Sequence, residues 1–227
     1  MTTTKFQLMT QQLIKVLGSV IKLASTDITL PVINAVLLRR QGNYLTATAT
    51  DRYVVGVARD YLNPDLDAPA DDWRFAISLA DAKALLKLAK ANNKTAPVMI
   101  FSATELTLTA GFDREWSADN VEVTVNRFPG VGPMLLKVLS RLARTPSVGG
   151  LNVTRAAQFT DAAVLCGDRL HQATVWWDAS DEPRNGVDQP QWGVKIGEDF
   201  VGVVMGLRLA GSRDDLRSVS DWKDLLA

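Results

Sequence analysis

Residues 30–59 read LPVINAVLLRRQGNYLTATATDRYVVGVAR, and the fold follows from how this stretch divides. Three runs suited to a pleated sheet, Ala35–Arg40, Tyr44–Ala49 and Tyr53–Asp60, are separated by Gln41-Gly42-Asn43 and Thr50-Asp51-Arg52. Short runs with turn residues between them predict three antiparallel strands. The stretch carries no nucleophile, no metal-ligand cluster and no glycine-rich phosphate cradle. Its ordered hairpins therefore read as scaffold.

Outward from this stretch the same order occurs twice. Lys5–Thr10 predicts a strand and Gln11–Leu23 a helix, with Leu13, Val16, Leu17 and Val20 on the apolar face and Ile21 beside them. After the three strands and a Pro- and Asp-rich linker, Asn63–Asp72, the pattern returns. Trp73–Ser78 predicts a strand, and Ser78 an N-cap with Asp81 at N3 for a helix over Leu79–Ala91. Strands at Val98–Ser102, Glu105–Ala110 and Glu115–Val125 close the unit. This is an internal duplication of an α+β unit, strand–helix–three strands, with the two helices together on one side of antiparallel sheets. Past Arg127-Phe128-Pro129-Gly130 the pattern is less regular. Pro133–Arg144 predicts a helix, Val148–Val153 a strand, and Thr154 the cap of a helix over Arg155–Cys166. Strands His171–Trp177, Gln191–Ile196 and Phe200–Leu207 follow, with the polar loop Asp178–Pro190 among them. One full unit is expected here, with only a helix and little strand where its partner would stand.

A chain of 227 residues, 47% hydrophobic and 22% charged, is expected to be globular, with one large domain or two ordinary ones. No apolar run approaches the ~20 residues that span a bilayer, and the first residues lack the long apolar segment of a secretory signal. A single cysteine, Cys166, cannot form an internal disulfide, which fits a reducing cytoplasm. Beside Val164 and Leu165 it is expected to be a small buried hydrophobe.

The chain has 25 basic and 25 acidic residues and no net charge, but the charges are not evenly placed. Lys83, Lys87, Lys90 and Lys94 stand at i, i+4, i+7 and i+11, on one helical face. Lys15 and Lys22 are separated by seven positions in the first predicted helix. Lys137, Arg141 and Arg144 repeat the spacing in the helix from Pro133. No acidic residue interrupts these stripes; acids gather in Asp60–Asp72, Asp113–Glu122, Asp178–Glu182 and from Asp214 onward. The helix over Arg155–Cys166 differs, with one arginine and Asp161. By spacing alone two readings stand: the solvated side of amphipathic helices, or a basic surface that holds nucleic-acid phosphates without reading sequence.

Catalysis has little to work with. The one histidine, His171, begins a predicted strand, and no HExxH, CxxC, GxSxG or P-loop pattern occurs. Asp113/Glu115 and Asp214/Asp215 read as solvated loop and tail carboxylates. Gly130-Val131-Gly132 falls short of a nucleotide fingerprint. Trp176 and Trp177 point to opposite faces of a strand. The expectation is a protein without catalytic residues, cofactor or metal.

Residues 30–59 resemble the N-terminal domain of the bacterial DNA polymerase sliding clamp, the beta processivity subunit; Leu45–Asp51 matches that family's L-x-L-T-A-T-D signature with one inserted position. FVGVVMGLRL (Phe200–Leu209) is similar to the family's C-terminal strand. GLNVTRAAQFTDAAVL (Gly150–Leu165) is similar to the segment before its last helix, and RFPGVGPML (127–135) to the turn that closes a clamp domain. The resemblance implies a DNA-clamp fold and a non-enzymatic processivity factor that encircles duplex DNA, with basic helices lining the hole. It assigns DNA contact to Lys15, Lys22, Lys83, Lys87, Lys90, Lys94, Lys137, Arg141 and Arg144. It assigns a partner-peptide groove to Val203, Val204, Met205, Gly206, Leu207, Arg208 and Leu209, with Gly206 where the family has proline. The implied partners are double-stranded DNA, a DNA polymerase and a clamp loader, in the cytoplasm of a bacterial or phage-infected cell, with no membrane. The implied domains are 1–125, with two repeats, and 126–209, partly reduced, followed by a tail over 210–227. In that tail Leu216, Val219, Trp222, Leu225 and Leu226 fall at helical spacing and are expected to pack on the second domain or over the groove. The family has three domains per chain, and a two-domain chain would reach six domains as a trimer. The alternative is a clamp-like module that forms no ring and binds host replication or transcription proteins.

Overall fold

The computed structural model describes residues 4–62, 72–103, 107–112, 121–139, 152–167, 174–178 and 191–206. Its first unit is β1 (Thr4–Met9), α1 (Thr10–Val20), β2 (Ala35–Gln41), β3 (Tyr44–Thr50) and β4 (Val54–Tyr61). The second is β5 (Trp73–Ser78), α2 (Leu79–Asn92), β6 (Val98–Ala103), β7 (Thr107–Gly111) and β8 (Val121–Asn126). The units interlock by exchanging their first strands: β1 pairs with β6, and β5 with β2. Two four-stranded sheets result, joined by the short β5–β8 pairing at Ala76↔Asn126 and Ile77↔Val125.

The duplication and its hairpins follow from local chemistry. Gly42, with φ +56°, opens a two-residue turn closed by the Gln41↔Tyr44 pair. Arg52 holds a left-handed φ of +83°. The Asp51 carboxylate accepts the amides of Tyr53 and Val54, both at 2.8 Å, and fixes that turn. The aspartate of the T-A-T-D run is thus a backbone anchor. At the start of α2, Ser78 Oγ accepts the Asp81 amide at 3.1 Å and donates to its carboxylate at 2.6 Å, as the capping pattern predicts.

Helices α1 and α2 pack side by side over the sheets. Leu13, Val16, Leu17 and Val20 of α1 meet Leu79, Ala82, Leu85, Leu86 and Ala89 of α2 in one core with Val36, Leu38, Leu45, Ala47, Val54 and Ala58. Each such aliphatic side chain contributes roughly 1.5–3 kcal/mol by leaving water. A second aromatic layer stacks Phe6 on Trp73 and Phe101, at 4.5 and 5.0 Å between centroids.

The third unit carries α4 (Val153–Ala156), a 3-10 turn at Ala157–Phe159, α5 (Thr160–Cys166), β9 (Thr174–Asp178), β10 (Gln191–Ile196) and β11 (Phe200–Met205). β11 pairs along β4, and the whole forms one antiparallel sheet in the order β1-β6-β7-β8-β5-β2-β3-β4-β11-β10-β9. The seam is a glycine pair, Gly56 directly opposite Gly202. A Cβ on Gly56 would press on Leu23 and come within 2.6 Å of Phe200 Cζ; on Gly202 it would lie 2.8 Å from both Phe159 Cε1 and the Val55 carbonyl. The missing side chains let Phe159 pack edge-on against Phe200 at 5.7 Å. α5 then lies beside α1, on the same face as α2, and Cys166 is buried there at 3.2 Å from Ser19 Oγ. Burial pushes its thiol above the ordinary value, which agrees with an inert hydrophobe.

Two expectations about this unit are corrected. Val153 belongs to a helix, not to a strand over Val148–Val153, and the cap is Asn152, whose Oδ1 accepts the Arg155 amide at 3.3 Å. Asparagine is the stronger cap and starts the helix two residues before Thr154 would. The expected Arg155–Cys166 helix is also broken by the 3-10 turn at Ala157–Phe159, the turn that ends with Phe159 in the core. The tail 210–227, Arg141, Arg144, His171, the linker 63–71 and Leu207–Leu209 lie outside the described residues.

Candidate nucleic-acid interface and outer groove

The described helices divide between two faces of the sheet. Along β4, Val54 and Ala58 join the core under α1, while Val55 and Val57 point the other way. α3 (Gly132–Leu139) lies on that opposite face, where its Leu135 and Val138 pack on Val55 and Val203. Lys137 therefore does not share a surface with the lysines of α2. That corrects the expectation of three basic helices lining one face. The spacing of Lys137 shows which side of its own helix it occupies, not on which side of the sheet the helix docks.

On the helix-bearing face, Lys83, Lys87, Lys90 and Lys94 are all exposed, and none has an ion-pair partner among the described residues. Lys83 to Lys90 covers roughly 10 Å of helix axis. α1 behaves differently. Lys15 is partly buried and donates to Asp60 at 3.1 Å and to Asp199 at 2.7 Å. Burial opposes its charge, but the hydrogen bonds to Asp199 and Asp60 outweigh that and hold its pKa above the ordinary lysine value. Lys22 pairs with Asp161 of α5 at 2.8 Å. Lys15 of α1 and Lys22, in the 3-10 turn Ile21–Leu23 that follows it, are thus both paired with carboxylates remote in sequence, a correction to their reading as phosphate-facing cations of one helix. The basic surface left without a described ion pair among the candidates on this face is Lys83, Lys87 and Lys90 of α2, with Lys94 in the turn beyond the helix end at Asn92, which corrects its expected place on the same helical face.

The β11 strip also divides. Val204 is fully buried toward the helices, so it is not part of a groove; Val203 lies under α3, and Met205 and Gly206 are partly exposed.

A cavity of about 900 Å³ opens beside α3 on the face opposite the helices α1, α2 and α5. Its floor is a cross-strand row, Ala76–Leu37–Thr48–Val57–Val201. One wall is the segment Arg127–Pro133 with Leu135 and Leu136 of α3; the other carries Arg39 and Arg74. Arg39 stands directly opposite Arg74 in the β2–β5 ladder. Sequence reading missed this cluster. The signal was Arg39-Arg40, a dipeptide that puts one arginine on each face of β2, but the partner Arg74 follows only from strand register.

Among the described residues no group of histidine, cysteine or acidic side chains could hold a metal ion, and no helix is long and apolar enough to cross a membrane.

An interlocked pair of strand–helix–three-strand units, with both helices on one side and the sheet continued by a third unit, is the DNA-clamp fold. Its particular form is that of the bacterial DNA polymerase III beta subunit. The chain superposes on the Thermotoga maritima DNA polymerase III beta subunit with a TM-score of 0.57 at 13% identity, covering 91% of this chain and 66% of that one. On the C. crescentus beta sliding clamp the values are 0.58, 12%, 94% and 67%. On the Pseudomonas aeruginosa DNA polymerase III subunit beta they are 0.54, 17%, 94% and 67%. The chain spans about two thirds of the length of these clamps. No family model and no curated protein matches it.

Proposed function

We propose that this chain is a DNA sliding clamp, a processivity factor without catalytic chemistry or cofactor. It surrounds duplex DNA and tethers a polymerase to it. The observation that carries this reading is the clamp fold with an exposed lysine row on α2 that has no ion-pair partner among the described residues. Such a row holds phosphates by counterion release and reads no sequence, so the duplex slides while equivalent contacts break and reform. Residues 1–125 form the first clamp domain, 126–209 a reduced second one, and 210–227 a tail. Three copies bring six domains to a closed ring, loaded by a clamp loader in the cytoplasm of a bacterial or phage-infected cell. Lys83, Lys87, Lys90 and Lys94 make the main DNA contacts. Arg141 and Arg144 are kept as secondary candidates, and Met205, Gly206, Leu207, Arg208 and Leu209 border the docking site for the polymerase and loader.

The reduced third unit favours a second reading. It supplies one helix row and three strands, and the strands close on β4 of the same chain. A chain completed in this way acts as a monomeric clamp-like module for replication or transcription proteins. Light-scattering mass in solution, with images of the particles, separates the two. The clamp reading expects three times the chain mass and annular particles at micromolar concentration; a monomer at that concentration favours the module.

A further inference from the structure

We propose that the groove on the face opposite α1 and α2 binds an acidic, partly apolar peptide segment of a partner protein, selected by Arg39, Arg74 and Arg127. The inference rests on reading this face as the docking side of a clamp, and it adds the chemistry of what docks. Three observations converge on it. First, the floor is apolar and open: Leu37, Val57 and Val201 are only partly buried at the bottom of a cavity of about 900 Å³. Second, the cations around it have no counter-charge among the described residues. Arg39 and Arg74 face each other across a ladder, where like charges repel. Neither they nor Arg127 has a carboxylate partner among the described residues. Their neighbour Arg59 shows the contrast, since it lies over the Tyr44 ring and 3.7 Å from Asp199. Third, α3 already covers the outward side of Val203, so the space left for a partner is the arginine-lined part of the face.

The register sets the shape of the guest. From β5 to β11 the floor crosses five strands, roughly 19 Å at the usual strand spacing. That length takes about six extended residues. Apolar side chains of the guest settle on the Leu37–Val57–Val201 row while carboxylates reach Arg39 and Arg74, one residue pair over on the same strands. Guanidinium–carboxylate pairs at a half-buried rim supply selectivity more than raw affinity. A nucleic-acid backbone presents phosphates but leaves the apolar floor uncovered, which favours a peptide.

The test is fluorescence anisotropy on the full chain with a labelled decapeptide alternating leucine and glutamate, and with its leucine–glutamine counterpart. The glutamate probe is expected to bind at least about tenfold more tightly, and the preference to vanish in an Arg39→Gln/Arg74→Gln chain. Equal binding of the two probes, no binding of either, or displacement of the glutamate probe by a short DNA duplex overturns the proposal. A chain lacking Ser212–Ala227 that binds the probe when the full chain does not would make this chain's own tail the occupant, and would overturn assignment to a partner. Retention of the arginine variant on circular DNA, expected to be unchanged, separates the two readings. Failed peptide selection with retention intact sinks this inference alone.

Discussion

Changing Lys83, Lys87 and Lys90 together to glutamate is expected to cut the affinity of the protein for a short linear DNA duplex by at least about a hundredfold at moderate salt, and to reduce the slope of log affinity against log salt by about 3. Each lysine that faces a phosphate contributes nearly one released counterion, and a carboxylate in its place adds repulsion. The effect is confined to binding, because the three side chains are exposed and the buried face of α2, Leu79, Ala82, Leu85, Leu86 and Ala89, is untouched. Thermal stability should therefore change little, by about 0.5 kcal/mol or less. The same exchange at Lys15 is a poor probe of DNA binding, since it would break the contacts to Asp60 and Asp199. Duplex affinity of the triple variant equal to that of the unchanged chain would remove α2 from the mechanism.

Gly202→Val is expected to be the most destabilising single substitution in the seam, by about 3 kcal/mol, or a fall in melting temperature of about 6–12 °C for a chain of this size. The added atoms meet Phe159 on one side and the Val55 carbonyl on the other. Phe159 is a side chain, though buried against Phe200; the carbonyl belongs to the β4 backbone and cannot move aside by a rotamer change. Relief requires β11 to draw away from β4, which also loosens α5 from α1. Gly130→Ala is the control, because nothing lies within 4 Å of its new Cβ, and its melting temperature should stay within about 2 °C. Equal melting of the Gly202→Val and unchanged chains, followed by calorimetry or circular dichroism, would contradict the role given to the glycine pair.

The repeated unit was open to sequence reading because its signals are local. Period-two runs, Gly42 in a tight turn and Ser78 with Asp81 at a helix start each act within a few residues. The strand exchange between units was not readable, since β1 pairs with β6 across about ninety residues and nothing in either strand names its partner. The charge stripes were legible as faces but not as free charge. Asp60 and Asp199 reach Lys15 from 45 and 184 positions away, and Asp161 reaches Lys22 from 139. The placement of α3 was hidden for a related reason. Leu135 and Val138 mark an apolar side, and either face of a sheet with Val54 and Val55 alternating would accept it. The arginine groove exists only through register, which sets Arg74 opposite Arg39. Local chemistry thus carried the elements, and long-range pairing decided which charges remain available.

The central claim is that the chain holds DNA by enclosing it. The measurement that bears on it most directly compares one preparation of loaded protein on nicked circular DNA before and after a single restriction cut. The account predicts retention through gel filtration on the circle, at salt that abolishes simple charge attraction, and loss within minutes once the ends are free. Equal retention on circular and linear DNA, or none on either in the presence of a loader, would contradict it.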